Sequence, residues 1–476
     1  MRTVQQIISF LKKAYSPDQR ALALMRIGMA LIIIADLLIR GADLSAHYTD
    51  AGIWPINLVK HFAWKSGYWS IHTLWGEFTP TLVLFVLHFL LAILLLIGSN
   101  TRLITFLLFV FTVSLHNRNL FVLQAGDDLL RLVLLWGLFL PWGNHYSLDS
   151  KRKKYRTVDS AFANAGYLLL VSSVYLFAVA LRNTAEWHEE GSAVYFALSL
   201  EQIRLPLGTV LYNHPALLKI LTRLVYYTEF LIPILILLPT KKQIFRFVAF
   251  LLIFFLHLGF GLTLYVGLFY LIGIVSAFGL LPSNFFDRLD DYAGVTHSRT
   301  SNPNSPALFK ILLNGFCAML IGICLLINLS NLKWFNYKLK SELSVFANGL
   351  RLDQYWGMFS PGVLRKDGWY VYHGFDSIGR QWDIRLNQDY VDYEKPQSVV
   401  GMYTSDRWRK LAENMQDDRF TFLRPLYCKF RLNEWNHAHP ERQLAGMNLY
   451  FMEKLNLPDY KTKKPTKQLY CVCTNY

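Results

Sequence analysis

Gly126-Asp127-Asp128-Leu129-Leu130-Arg131 decides how this chain is read, because it sets three ionisable residues at the head of an apolar run over 127–142. The preceding apolar run, 103–121, carries His116-Asn117-Arg118-Asn119 near its end. Charge at membrane depth is expensive and is kept where it faces a cavity, a pathway or a reaction centre inside a bundle. The two stretches together predict a working polytopic membrane protein.

Composition points the same way. Of 476 residues 53% are hydrophobic and only 17% charged, and the mean hydropathy is +0.26; a soluble domain carries more charge. The net charge of +15 could suit nucleic acid. The Lys and Arg residues, however, gather in loops between apolar runs and in the last third of the chain, which topology explains without a nucleic-acid partner. Neither a Walker-type glycine loop nor a paired Cys-x-x-Cys pattern is present.

Nine candidate spans follow, at 22–40, 81–98, 103–121, 127–142, 163–182, 218–238, 244–264, 265–281 and 307–329. The seventh and eighth abut at Leu264-Tyr265-Val266-Gly267 and could form one broken hairpin. If the spans alternate, three basic clusters share one side: Arg2, Lys12, Lys13 and Arg20; Lys151-Arg152-Lys153-Lys154-Tyr155-Arg156; and Lys241, Lys242 and Arg246. The opposite loops hold little: 41–80 has only Lys60 and Lys65, and 185–217 only Arg204. Positive charge marks the cytoplasmic side. The expectation is therefore a multi-pass inner-membrane protein with a cytoplasmic N-terminus and an extracytoplasmic C-terminal domain.

Residues 1–20 repeat Val4, Ile7, Ile8, Leu11 and Tyr15 at helical spacing, as an amphipathic helix on the inner surface would. Residues 21–330 form the all-α membrane domain. From 331 to 476 the composition turns soluble, with 22 Lys and Arg against 16 Asp and Glu. There Trp369–Phe375, the turn Asp376-Ser377-Ile378-Gly379 and Gln381–Arg385 read as a β-hairpin. Helical periodicity returns at about 405–414 and 417–435, so this domain is α+β. Cys317 and Cys324 share a helix face as packing residues. Cys428, Cys471 and Cys473 would face an oxidising side, where one bridge from Cys428 to the tail is expected. His437-x-His439 lacks a third ligand and runs into Pro440, so no metal is predicted.

Arg182, near the outer end of the fifth span, is a permanent planar cation able to clamp a carboxylate, a phosphate or a quinolate oxygen. Candidate proton movers are His116, Asp127, Asp128, Glu186, Glu229 and His257. Arg118, Asn119, Asp128, Arg131, Trp187 and Glu229 are candidate cofactor contacts. A plainer reading pairs Asp127 or Asp128 with Arg118 or Arg131 to hold the bundle, pairs Asp36 with Arg40, and makes Trp187 and Tyr195 interfacial anchors.

Several of these residues carry a resemblance. Arg26 to Arg40 with Tyr48-Thr49-Asp50-Ala51-Gly52-Ile53-Trp54-Pro55, His116–Asn119, Gly126–Asp128, Asn144-His145-Tyr146-Ser147-Leu148-Asp149, Glu186-Trp187 and Gly191–Tyr195 resemble the horizontally transferred transmembrane domain family. That family is similar to the membrane region of vitamin K-dependent γ-carboxylase. The resemblance covers 20–285, and Gln354–Pro361 resembles the Trp-x-Met-Phe-x-Pro segment that opens the family's extracytoplasmic domain.

The resemblance implies a reaction in which reduced vitamin K, or here menaquinol, is oxidised by oxygen in an apolar site. The strong base so formed removes a glutamate γ-proton from a peptide or protein on the extracytoplasmic side, and carbon dioxide adds. A lysine starts the family's chemistry by taking the hydroquinone proton. In Leu181-Arg182-Asn183-Thr184-Ala185-Glu186-Trp187 the lysine position holds Arg182, and a guanidinium keeps its proton. The family's accessory histidine falls on Asp127, while His257 matches a family histidine. Two function classes follow: a membrane enzyme acting on a quinol or another lipid-soluble substrate, and a transporter or lipid-handling protein whose outer domain recruits a partner.

Overall fold

Apolar length sets the frame. The computed structural model describes residues 2–152, 160–240, 243–293 and 306–475. Among them, six helices are long and apolar enough to cross a membrane. These are α2 (Gln19–Ala42), α3 (Phe78–Ile97), α6 (Ala161–Leu181), α7 (Pro215–Leu237), α8 (Ile244–Thr263) and α10 (Ala307–Ser330). Three of the nine expected spans are shorter or more polar helices: α4 (Thr101–Arg118), the 13-residue α5 (Ala125–Gly137) and the eight-residue α9 (Phe269–Ser276). At ~1.5 Å per residue neither α5 nor α9 reaches across ~30 Å of hydrocarbon by itself. Both pack inside the bundle, α5 against α4 and α9, and α9 against α2 and α8. Leu31, Val83, Leu90, Ile220, Phe255 and Leu312 lie more than one third exposed on the long helices, as lipid-facing side chains would.

Buried arginines fix the ends of helices. α3 stops at Gly98, whose φ of +68° a side chain would strain, and the fully buried Arg26 guanidinium then collects the carbonyls of Leu95, Leu96, Trp142 and Tyr146. Asp149 accepts from the Asn100 and Thr101 N–H groups at 2.9 and 2.7 Å and so caps α4. At the same end Arg20 meets Asp287 at 2.7 Å and Asp290 at 2.6 Å, and the Tyr15 hydroxyl donates to Leu237. The N-terminal segment is helical, α1 (Arg2–Ala14). The side chains of Val4, Ile7 and Ile8, and residues Lys153, Lys154, Tyr155, Arg156, Lys241 and Lys242, lie outside what is described.

The C-terminal domain has one antiparallel sheet of order β2-β1-β3-β4: β1 (Lys366–Phe375), β2 (Gln381–Asp383), β3 (Gly446–Leu455) and β4 (Thr466–Thr474). The hairpin legible in sequence is β1–β2, with His373 opposite Asp383. The central pairing joins β1 to β3, Lys366 opposite Leu455 through Phe375 opposite Gly446. Helices α11 (Asp406–Gln416) and α12 (Leu423–Ala438) belong to the same domain, and α12 packs on β4 and β3. The second expected helix begins at 423 rather than 417, since Asp418–Phe420 is a separate 3₁₀ turn. All five cysteines are free, so the expected bridge is absent; the Cys428 and Cys473 thiols instead point at one acceptor, the Met447 carbonyl, at 3.6 and 3.7 Å.

The two domains do not have separate cores. Leu332, Ala347, Leu352 and Trp356 pack into the bundle core with Leu22, Leu130 and Ile323. Ile53, Trp54, Val59, Phe121 and Val122 from the loops of the bundle join Tyr370, Leu411, Met415 and Phe451 in the core of the sheet domain. The composition boundary near 331 is a change of solvent and leaves the packing continuous.

Candidate functional site

The charge announced by His116–Asn119 and Gly126–Arg131 is buried, and nearly all of it is spent on structure. Asp127 caps the start of α5 by accepting the Gln124 N–H at 2.8 Å. Its two oxygens also accept Arg40 at 2.5 Å and Arg407 at 2.6 and 3.0 Å. Asp36 accepts Arg40 at 2.7 Å, the intrahelical pair expected, and Arg407 at 2.6 Å. Arg407 comes from α11, so the sheet domain plugs an arginine into the bundle. Beside it Arg131 holds Asp128 at 2.9 Å and the carbonyls of Arg351 and Asp353, and Arg351 holds Asp353 at 2.8 Å and Asn117. Asp36, Asp127, Asp128 and Asp353 thus balance Arg40, Arg131, Arg351 and Arg407.

His116 sits between the halves of this network. Arg131 lies 3.2 Å from its Nδ1, which must accept because a guanidinium only donates. Its Nε2 then carries the hydrogen and faces Asp127 at 3.6 Å. Arg118 donates to the Trp54 carbonyl at 2.7 Å and lies 3.7 Å from Asp50, and Asn119 bridges His47 and Phe121. The plain pairing holds for Asp128 with Arg131, while Asp127 takes longer-range partners, Arg40 and Arg407.

A second cluster is built differently. α6 ends at Leu181 and Arg182 is its C-cap, with non-helical backbone that turns the guanidinium inward. Glu229 on α7 takes Nη1 and Nη2 of Arg182 as a fork, and the Arg182 guanidinium carbon lies over the Trp187 ring at 3.9 Å. One helix away, the Tyr175 hydroxyl meets His257 Nε2 at 2.9 Å. α9 lies so close that a Cβ on Gly273 would collide with the His257 ring. Tyr175, Arg182, Glu229 and His257 share a cavity of about 30 Å³ with Phe260, Phe269, Trp356 and Met358. Two buried atoms here have no hydrogen-bond partner, Arg182 Nε and His257 Nδ1. Against it lies an apolar chamber of about 330 Å³ between α7, α8 and Ala193–Leu198; Arg182 and Phe260 line both spaces.

The lid of this cluster is the Gln354–Pro361 segment. Trp356, Met358 and Phe359 line the two cavities, the Trp187 indole donates to the Phe359 carbonyl at 3.1 Å, and Thr184 donates to the Pro361 carbonyl at 3.0 Å. Glu186, a candidate proton mover, is a strut here: it accepts Val363 N–H at 3.0 Å and Arg365 at 2.6 Å. Trp187 and Tyr195 are 4% and 8% exposed under the sheet domain, so neither is an interfacial anchor.

Of the residues singled out in the sequence, the fold gathers Arg182, Glu229, His257 and Trp187 at the chamber and His116, Asp127, Asp128 and Arg131 in the balanced network, with Arg118 and Asn119 on its flank. Tyr175 and Arg407 were missed. Tyr175 stands seven residues before Arg182, two helical turns along one face, which is the signal that could have found it. His439 stacks on Trp435 at 3.8 Å, and no group of three metal-ligating side chains occurs among the described residues. Comparison of the chain with protein-family models, curated proteins and solved structures gave no match.

Proposed function

We propose that this chain is a multi-pass inner-membrane protein that binds a quinol or another lipid-soluble ligand at Arg182, with the ligand's ring and apolar tail in the chamber and one head-group oxygen reaching the small cavity. One observation carries this: a single arginine lines both a small cavity with two orphaned polar atoms and an apolar chamber between two membrane-length helices. Buried polar atoms without partners cost about 1–3 kcal/mol each, and a ligand hydroxyl or carbonyl oxygen that met Arg182 Nε and His257 Nδ1 would remove that cost. The Glu229 carboxylate already neutralises Arg182, so the site suits a neutral head group better than an anion. When bound, a reduced quinone supplies hydroxyl protons and electrons. Arg182 orients the oxygen, His257 accepts a proton at Nδ1 while Tyr175 holds its Nε2–H, and Trp356, Met358 and Phe359 keep water out.

In this reading α4, α5 continued by the turns to Trp142, and the 269–281 segment complete nine passes. The basic residues at the α1, Arg20 and Arg246 end face the cytoplasm, and the sheet domain lies outside with access to a peptide or protein partner. Carboxylation of glutamate is the narrow form, and it would need a base other than Arg182. The test is retention of reduced menaquinone by the protein in nanodiscs, followed by oxygen-dependent epoxide formation beside Arg182→Lys. Retention by the native protein, at least about tenfold above Arg182→Ala, is expected. Epoxide from Arg182→Lys alone would separate the binding site from the chemistry. Equal retention by native protein and Arg182→Ala would end the proposal.

A further inference from the structure

A third cavity, of about 540 Å³, opens where the sheet domain meets the ends of α2 and α8. Asp43, just past the end of α2, Ser405 and Asp406 at the start of α11, and Tyr265 make its polar wall; Ile39, Leu205 and Leu264 make its apolar wall. Asp406 is only 5% exposed. Its Oδ1 accepts Arg409 at 2.9 Å, and its Oδ2 has no partner. That oxygen points at Gly267 on the cavity wall, where an added Cβ would stand 2.6 Å away. Asp43 accepts the Ser405 hydroxyl at 3.3 Å and is paired with no cation among the described residues.

The cation that lines the same space cannot serve these carboxylates. Arg407 is committed to Asp36, Asp127 and the Val122 carbonyl. Arg409 and Lys410 are matched by Asp406 and Glu413. The cleft therefore keeps one unmatched negative charge, Asp43, and one buried acceptor without a donor, Asp406 Oδ2. A carboxylate oxygen out of water gains most from a charged N–H donor.

We propose that this cleft binds a primary ammonium group, with Asp406 Oδ2 and Asp43 as its acceptors. An ammonium offers three N–H donors and one positive charge, which meets both deficits at once. A quaternary ammonium offers the charge without a donor and leaves Asp406 Oδ2 unsatisfied. Ile39, Leu205 and Leu264 give an attached alkyl chain an apolar surface beside the end of α2. The ammonium comes either from an ethanolamine lipid headgroup or from a free amine. The site shares only Leu264 with the Arg182 chamber, and its occupancy does not depend on the quinol reading.

Purified full-length protein in nanodiscs of phosphatidylethanolamine, phosphatidylcholine or phosphatidylglycerol separates these sources, with retained lipid read by native mass spectrometry. Retention of phosphatidylethanolamine about tenfold over phosphatidylcholine is expected, and its loss in Asp406→Asn and in Asp43→Asn. Displacement of that lipid by millimolar ethanolamine, or stabilisation of the native protein by ethanolamine in phosphatidylglycerol discs, would assign the free amine. Equal retention of the ethanolamine and choline lipids without any response to ethanolamine overturns the proposal. Asp43→Asn keeps the test valid if Asp406→Asn fails to fold, because Asp43 has no ion pair to lose.

Discussion

The Asp127 network and the Arg182–Glu229 pair bury the same chemistry for opposite ends. In the first, Arg407 and Arg40 saturate both aspartates and the charges cancel; Asp36 and Arg407 border the 540 Å³ cleft, yet neither offers it an unfilled valence. In the second, one ion pair stands beside two orphaned atoms and open space. A buried ion pair is weak evidence of stability, because desolvation offsets its attraction. What separates a strut from a site is the presence of unmet valence next to room for a ligand. By that criterion the sequence feature that first drew attention is the strut.

The largest effect should come from breaking the strut. Arg407→Ala leaves Asp36 and Asp127 buried with one cation between them, and a loss of about 3–5 kcal/mol is expected. Thermal unfolding and protease resistance in detergent would measure it; a change within about 0.5 kcal/mol, the range of an ordinary surface substitution, would erase the contrast. Next, Arg182→Ala should destabilise through the stranded Glu229, whereas the paired change Arg182→Met with Glu229→Leu should recover most of that stability and still lose ligand retention. Recovery of stability shows that the pair is dispensable to folding, and recovery of retention as well would show that it is dispensable to binding.

The smallest effect lies in the sheet domain. Burial alone would raise the Glu413 carboxyl, but the Lys410 and Arg409 cations outweigh it and hold it at about 2. A depressed carboxyl contributes stability above its unfolded value of about 4.3, and that contribution falls away as pH drops towards 2. The Glu413 side chain keeps 37% of its surface in solvent, so screening shrinks the term. A modest loss of sheet-domain stability between pH 4 and pH 2, reduced by salt and absent in Glu413→Gln, is the expected outcome of far-UV melts.

Much of the fold was legible because single-segment physics governs it. Long apolar runs announce α2, α3, α6, α7, α8 and α10, and alternation with a Gly379 turn announces β1–β2. What stayed hidden is pairing at a distance. Asp127 meets Arg407 280 residues later, and Arg182 meets Glu229 47 residues later, with no periodicity to link them. The short helices α5 and α9 read as spans because their burial is lateral, and hydropathy counts apolar neighbours whether they are lipid or protein. Glu186 looked catalytic for the same reason that Asp127 did: a charge in an apolar stretch declares its cost before it declares its partner.

Arg407 also sets a timetable. α2 and α5 emerge from the ribosome carrying Asp36, Arg40 and Asp127, while the cation that completes their neutrality is still far from being synthesised. Until the last quarter of the chain has been translated and folded, Asp36 and Asp127 share the single arginine Arg40. A chain cut short before α11 is therefore expected to carry a buried carboxylate without its cation, and to be lost from cells faster than the full chain.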